Sequence, residues 1–258
     1  MNSGNPIYTV QAVNTAFDIL ELVSEQQMQT DLPHLAAKVG MTHNKVFRLL
    51  ATLSERGFIE RDIVSGCYQL GYSSVSFAQK MLRNSSVINL AHPVMEILAR
   101  KHDEAVYMTV IKGDEVLFLD MVDCEQQIKA SSMVGNKFPF FTNAAGKVIK
   151  ALESRELIER LLNKKQARTK NMPDPAKLVS ELMEIRSNGG IAVDCNGLGD
   201  GISSVAVAVK DYAGKVIGAI TLLAPSFRMV QERIEDEIIP SLVEGAALIS
   251  GKFGYTPA

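Results

Sequence analysis

Pro33, Gly40 and Gly57 divide residues 32–57 into two short segments with little freedom in how they meet. Proline suits the first turn of a helix, so a helix is predicted over residues 33–39. Gly40 closes it, because a left-handed C-terminal position favours a residue without Cβ. Thr42 then stands where a hydroxyl caps the next helix. Val46, Leu49, Leu50 and Leu53 recur at helical spacing as its inward face, with Phe47 at the margin, and Gly57 ends it. Two helices joined by a tight glycine turn match a helix-turn-helix, whose second helix enters the major groove of DNA. An amphipathic helix is read before them over residues 10–25, from Val13, Ala16, Phe17, Leu20 and Val23. Ile19 and Leu22 add a second apolar stripe that can face a partner subunit. After them, residues 58–62 and 67–70 read as strands around the turn Ile63-Val-Ser-Gly66. The unit is a winged helix-turn-helix.

Charge separates the outer face of the second helix from an ordinary solvated one. Residues 1–71 hold five Lys/Arg and seven Asp/Glu, a net of 5 − 7 = −2, which by itself argues against a polyanionic partner. Yet Leu32 to Ser54 contains Lys38, Lys45 and Arg48 and no acid. Solvated faces usually mix both signs. Asn44, Arg48 and Thr52 fall four apart, opposite the leucines, with Lys45 beside them. The residues expected at DNA are therefore Thr42, His43, Asn44, Lys45, Arg48 and Thr52. Thr42 and its neighbouring amides suit a phosphate at a helix N-terminus. Lys45 and Arg48 reach phosphate or guanine, and Asn44 a base edge. A histidine at position 43 is more often a capping or solvated residue than a base reader.

The 258 residues are ample for two domains, and 47% apolar residues supply real cores. A net charge of −2 leaves the whole chain silent about its partners. Cys67, Cys124 and Cys195 are odd in number and far apart, with no CxxC or Cys/His cluster, so no metal site is expected and a reducing cytoplasm fits. No basic start leads into an apolar run, and no apolar run approaches membrane-spanning length.

The run "LPHLAAKVGMTHNKVFRLLATLSERGFIE" followed by "YQLGY" resembles the DNA-binding domain of the isocitrate lyase regulator (IclR) family of bacterial transcription factors. "VGNKFPFFTNAAGKVIKAL" is similar to that family's glycine-proline-alanine-glycine-lysine segment. "IRSNGGIAVD", "VKDYAGKVIGAITLLAP" and "ALISGKFGY" follow in the family's order and spacing. The resemblance covers nearly the whole chain.

Residues 72–87, with Val75, Phe77, Ala78, Met81 and Leu82 among polar residues, look like a linker helix that in the family also helps the dimer form. Residues 88–258 then form a second domain. Helices are read at 90–101, 144–152 (capped by Asn143), after Ser154, at 175–188 and at 231–253. Strands are read at 105–111, 115–122, 128–133, 203–209 and 216–223, with hairpins at Lys112-Gly-Asp114 and Asp211-Tyr-Ala-Gly214. Strands grouped with helices to one side suggest an α+β domain with a largely antiparallel sheet. The resemblance implies a GAF/profilin-like sensor fold.

The stretch from Phe138 to Lys147 has its own physical reading. An aromatic loop leads into a capped helix that begins Ala144-Ala145, where unpaired amides and small side chains admit a carboxylate. The resemblance implies an effector pocket including Phe138, Ala144, Ala145, Asp194, Ser204, Thr221 and Leu223. The family often has cysteine at Ser204, serine at Leu223 and acids at Cys195-Asn-Gly197, and Ala206-Val-Ala208 replaces its usual Ala-Ala-Pro. These departures remove polar groups from one wall, while Phe138, Phe140 and Phe141 enrich the loop. Apolar area contributes about 25 cal/mol per Å², so the expected effector is a carboxylate with an aromatic or alkyl body.

Nothing points to catalysis. The four histidines, His34, His43, His92 and His102, lie far in sequence from Asp194 and Cys195, and no nucleophile elbow, His-Glu-x-x-His or phosphate-cradling loop is present. No cofactor is expected. The competing readings are a redox role for Cys195, although no neighbouring cation in sequence lowers its pKa, and a pocket that takes no ligand. The expected protein is a ligand-responsive regulator that binds double-stranded operator DNA as a homodimer, with pairing into tetramers left open.

Overall fold

The computed structural model describes residues 9–25, 30–153, 173–199 and 201–256. The chain divides into two compact units, Met1–Ser85 and Ser86–Ala258.

The first unit contains helices α1 (Gln11–Ser24), α2 (Leu32–Val39) and α3 (His43–Glu55), strands β1 (Ile59–Arg61) and β2 (Tyr68–Leu70), and helix α4 (Tyr72–Arg83). Ile19, Leu35, Val46, Leu50 and Ile59 are its fully buried centre. Each such side chain contributes about 2 kcal/mol on burial. The inward face of α1 differs from the expected one. Thr15, Ile19 and Val23 are buried, whereas Val13 and Phe17 point to solvent, Phe17 being 63% exposed. The Thr15 hydroxyl bonds back to the Gln11 carbonyl at 3.0 Å, so a polar residue sits inward without an unpaired group. That frees Val13 and Phe17 to form the outer stripe.

Asp31 caps α2 by accepting the His34 amide, and Gly40 ends it at φ 65°. Thr42 occupies the N-cap of α3 but its hydroxyl makes no capping bond. It is exposed, so solvent competes for the same amides. Val46 and Leu50 are buried, Leu49 and Leu53 half-buried, and Phe47 is exposed. β1 and β2 pair antiparallel as the wing, with Glu60 opposite Gln69. Gly57, at φ 68°, and Gly71 approach so closely that a Cβ on Gly71 would overlap the Gly57 carbonyl. This closes the wing onto the start of α4.

The second unit is a six-stranded antiparallel sheet, order β5-β4-β3-β8-β7-β6. Its strands are β3 (Ala105–Lys112), β4 (Glu115–Val122), β5 (Lys137–Pro139), β6 (Ile191–Cys195), β7 (Ile202–Lys210) and β8 (Val216–Pro225). Helices α5 (Ser86–His102), α6 (Ala144–Glu153), α7 (Pro175–Ser187) and α8 (Ile239–Lys252) cover it. They lie on both faces rather than one. α6 and α7 share one core with Tyr107, Phe118, Ala206 and Leu223, while α5 and α8 share the other with Val106, Val205, Ile220 and Leu222. The reason is in β7 and β8, which are buried at every position from Ser203 to Val209 and from Gly218 to Ala224. Strands apolar on both faces need two covers.

Three further differences follow from long-range contacts. No strand forms at 128–133. Lys129 Nζ binds the Asp123 carboxylate and the Cys124 carbonyl, holding that segment as a loop, and β5 takes the place beside β4 instead. β6, absent from the sequence reading, pairs along β7. The terminal helix is not continuous: an α turn at Gln231–Arg233 runs into a π turn at Ile234–Ile238 before α8. Pro240 lacks an amide for the Asp236 carbonyl, and the wider turn accommodates that loss. The helix expected after Ser154 lies outside the described residues.

One polar knot ties this unit together. Glu104, 1% exposed, accepts from Arg228 Nε at 2.6 Å and Nη2 at 2.7 Å, and from Arg233 Nη1 at 3.1 Å. Arg233 Nη2 also donates to the His102 carbonyl and Arg228 Nη1 to the Ile128 carbonyl. The end of α5, the 123–133 loop and the approach to α8 meet at this carboxylate.

Candidate nucleic-acid interface and effector pocket

On α3, Thr42, His43, Asn44, Lys45, Arg48 and Thr52 are all exposed, opposite the buried Val46 and Leu50. Lys45 and Arg48 enter no ion pair among the described residues, which leaves their charge for a partner. The Thr42 carbonyl accepts the Lys45 and Val46 amides, so the earlier amides at His43 and Asn44 stay outside the helix ladder. Thr52 is less free than the sequence suggests: its hydroxyl donates to the Arg48 carbonyl at 2.9 Å. The wing tip is a feature whose role the sequence did not announce. Asp62 Oδ1 accepts from the Val64 amide, the Ser65 amide and the Ser65 hydroxyl, and holds Ile63 and Val64 outward at 97% exposure each. The Ser65 amide, with help from its hydroxyl, keeps the Asp62 carboxyl below its ordinary pKa.

In the second unit, strand register brings most of the expected pocket residues into two adjacent rows. Asp194 pairs with Ser204, Ser204 with Leu223, and Leu223 with Ala105. The next row runs Ala192, Ala206, Thr221 and Tyr107. Above this face lies α6. Asn143 Oδ1 accepts the Gly146 amide at 2.9 Å and its carbonyl the Lys147 amide, so the Ala144 and Ala145 amides are the ones left over. Phe138 is not in this group. It sits on β5, five strand spacings from β6, about 24 Å along the sheet. It packs against the edge of the same core, through Phe118 and then Tyr107, stacked edge to face at 5.5 and 5.3 Å.

The Thr221 hydroxyl, buried opposite Tyr107 across β3 and β8, has no hydrogen-bond partner, while the buried Tyr107 hydroxyl lies toward the Met133 backbone. Burial pushes the Tyr107 phenol above its ordinary pKa. An unpaired buried hydroxyl costs about 1–3 kcal/mol, so a polar group that reached Thr221 would relieve that cost.

Lys147 is the residue that sequence reasoning passed over, although it closes the Ala144-Ala-Gly segment. Its ammonium, 10% exposed, lies 2.6 Å from Asp194 Oδ1 and 2.8 Å from Glu181 Oε1. Burial opposes its charge, but the two carboxylates outweigh burial and hold its pKa above the ordinary lysine value. Asp194 Oδ2 accepts the Gly197 amide at 3.0 Å, so both carboxylate oxygens are occupied. A Cβ at Gly197 would collide with the Thr142 carbonyl and with Asp194, which explains glycine there. Cys195 is exposed, but Lys147, the cation bound to the adjacent Asp194, is committed to its two carboxylates.

Comparison with known proteins identifies both domains. Residues 12–62 match the profile of the IclR helix-turn-helix domain, and residues 79–251 that of the bacterial transcriptional regulator IclR C-terminal domain. The transcriptional regulator BhcR of Paracoccus denitrificans is 27% identical over 251 residues, covering 96% of this chain and 88% of that protein. The crystal structure of a regulator from Alicyclobacillus acidocaldarius superposes with TM-score 0.82 at 25% identity, covering 95% of this chain and 99% of that one. An IclR homologue from Microbacterium hydrocarbonoxydans, crystallised with 4-hydroxybenzoate, shares the fold at TM-score 0.75 and 20% identity, covering 94% and 98% of the two chains. The family's effector-binding domain spans more than half of the chain and its helix-turn-helix stands ahead of it, so this protein belongs to the IclR family of bacterial transcriptional regulators.

Proposed function

We propose that the protein is a ligand-responsive regulator that binds a palindromic operator as a homodimer, its effector a small organic carboxylate with an apolar body. Two winged units would contact successive major grooves, with half-sites about one helical turn or a multiple apart. The outer face of α3 from His43 to Ser54, which bears Lys45 and Arg48 and no acid before Glu55 at the helix end, carries the DNA reading. Arg48→Ala is expected to weaken operator binding and lower the salt slope by about one unit, while effector titration is unchanged. Loss of effector binding with intact DNA affinity would reverse the assignment.

The effector reading rests on the rows facing α6. The carboxylate would take the Ala144 and Ala145 amides at the helix start. Its body would lie along Ala206, Leu223 and Phe118, and the Tyr107 and Thr221 hydroxyls would meet a second polar group. Repression or activation then depends on which state of the protein the ligand prefers, since the ligand changes DNA affinity only by its difference in affinity between states. Calorimetric titration separates the ligand classes. Benzoate and 4-hydroxybenzoate are expected to bind more tightly than glyoxylate or pyruvate, and the opposite order would remove the apolar-body assignment.

A further inference from the structure

We propose that the cavity between the end of α5 and the π turn preceding α8 is a second binding site, on the sheet face opposite the effector rows, for a small organic cation. The cavity has a volume of about 300 Å³, at the lower end of the range of small-molecule pockets. Its wall includes Lys101 and His102 from α5, Asp236 and Glu237 from the π turn, and Ser241 and Glu244 from α8. Three carboxylates against one ammonium leave it a net charge of −2. The acids alone would be a solvated surface. What distinguishes the place is His102, a wall residue only 6% exposed, whose Nε2 has no hydrogen-bond partner.

Burial pushes the His102 imidazole below its ordinary pKa. Lys101 and Arg233 act in the same direction, and Glu237 and Glu104 oppose them. The ring is therefore neutral near pH 7, and a neutral imidazole offers one nitrogen as an acceptor. An acceptor in the wall and carboxylates around the rim call for a donor-bearing cation. A bare metal ion fits poorly, because among the described residues no three His, Cys, Asp or Glu converge closely enough to hold one. A primary ammonium on a short carbon chain matches the negative charge of the wall and the volume of the cavity.

The backbone keeps this arrangement in place. Arg233 Nη2 fixes the His102 carbonyl at 2.7 Å, and the Ser241 hydroxyl donates to the Glu237 carbonyl at 2.8 Å. The π turn supplies the extra residue that sets Asp236 and Glu237 beside the end of α5. Such turns within helices recur at functional sites.

The test is calorimetric titration of the full chain at low salt with putrescine and agmatine, repeated with magnesium chloride. Saturable amine binding near one per chain is expected, with magnesium giving none. Glu237→Gln/Glu244→Gln is expected to weaken it about tenfold or more, the scale of one lost charge-assisted contact. Both positions are exposed, so the double variant should keep the wild-type circular dichroism spectrum. Glu184→Gln, on α7, is expected to bind the amines as the wild type does, and benzoate titration should be unaffected by any of these changes. Absence of saturable amine binding, undiminished binding in the double variant, or equal saturation by magnesium would each overturn the proposal.

Discussion

Lys147 shows how one side chain can tie three elements together. Its Nζ joins α6 to β6 through Asp194 and to α7 through Glu181. Removing one partner from a buried ion cluster leaves the others uncompensated, which typically costs about 3 kcal/mol. Lys147→Met is therefore expected to lower the stability of the second unit by roughly that amount in chemical denaturation. Adding Asp194→Asn and Glu181→Gln to Lys147→Met removes the stranded charges and should recover much of the loss. Lack of recovery would mean that Lys147 acts through packing rather than charge. The pairing also limits where an effector carboxylate can go. The Lys147 ammonium is already held by Asp194 and Glu181, so an anion is directed to the helix amides instead.

At the scale of elements, the start of α6 is where local sequence and long-range packing meet. Asn143, 1% exposed, caps the helix through Gly146 and donates from Nδ2 to the Pro139 carbonyl at 3.3 Å. A Cβ on Gly146 would strike the backbone of Phe140, so this turn tolerates little change. Asn143→Ala should cost about 1–2 kcal/mol, read as a lowered denaturation midpoint. An unchanged midpoint would show that solvent replaces the cap. The cap was legible in the sequence because asparagine before Ala144-Ala-Gly is a local signal, as were the glycine turns at Gly40, Gly113 and Gly214. What escaped is non-local. The inward face of α1 depends on Thr15 satisfying itself on Gln11. The loop at 128–133 depends on Lys129 reaching back to Asp123, and β6 exists because β7 offers it an edge. Asp194, Ser204, Thr221 and Leu223 were named together through the family resemblance. Their proximity follows from register, but Phe138, on the opposite edge strand, does not join them.

For the molecule as a whole, the groups with displaced pKa values define a pH window of stability. The pKa of His102 is lowered in the fold, so the unfolded chain takes up its proton first. Its contribution is complete above the ordinary histidine value of 6.5 and is lost as pH falls through the lower folded value. Asp31, Asp62 and Asp123 are likewise held low, by the His34 amide, the Ser65 amide and the Lys129 ammonium respectively. Their contributions are present above the ordinary aspartate value of 3.8 and fade below it, so their loss begins at lower pH than that of His102. At the alkaline end the sign reverses. Lys147 and Tyr107 have raised values, so their contributions are complete below 10.5 and 10.0 and are lost as pH climbs through the folded values. Denaturation midpoints measured across pH should therefore form a plateau between about 6.5 and 10 with two steps on its acid side. His102→Gln removes the titrating ring and should erase the upper acid step, leaving the lower one in place. If the variant retains both steps, the proton that destabilises the fold below the ordinary histidine value enters elsewhere, and the His102 ring is not the group that takes it up.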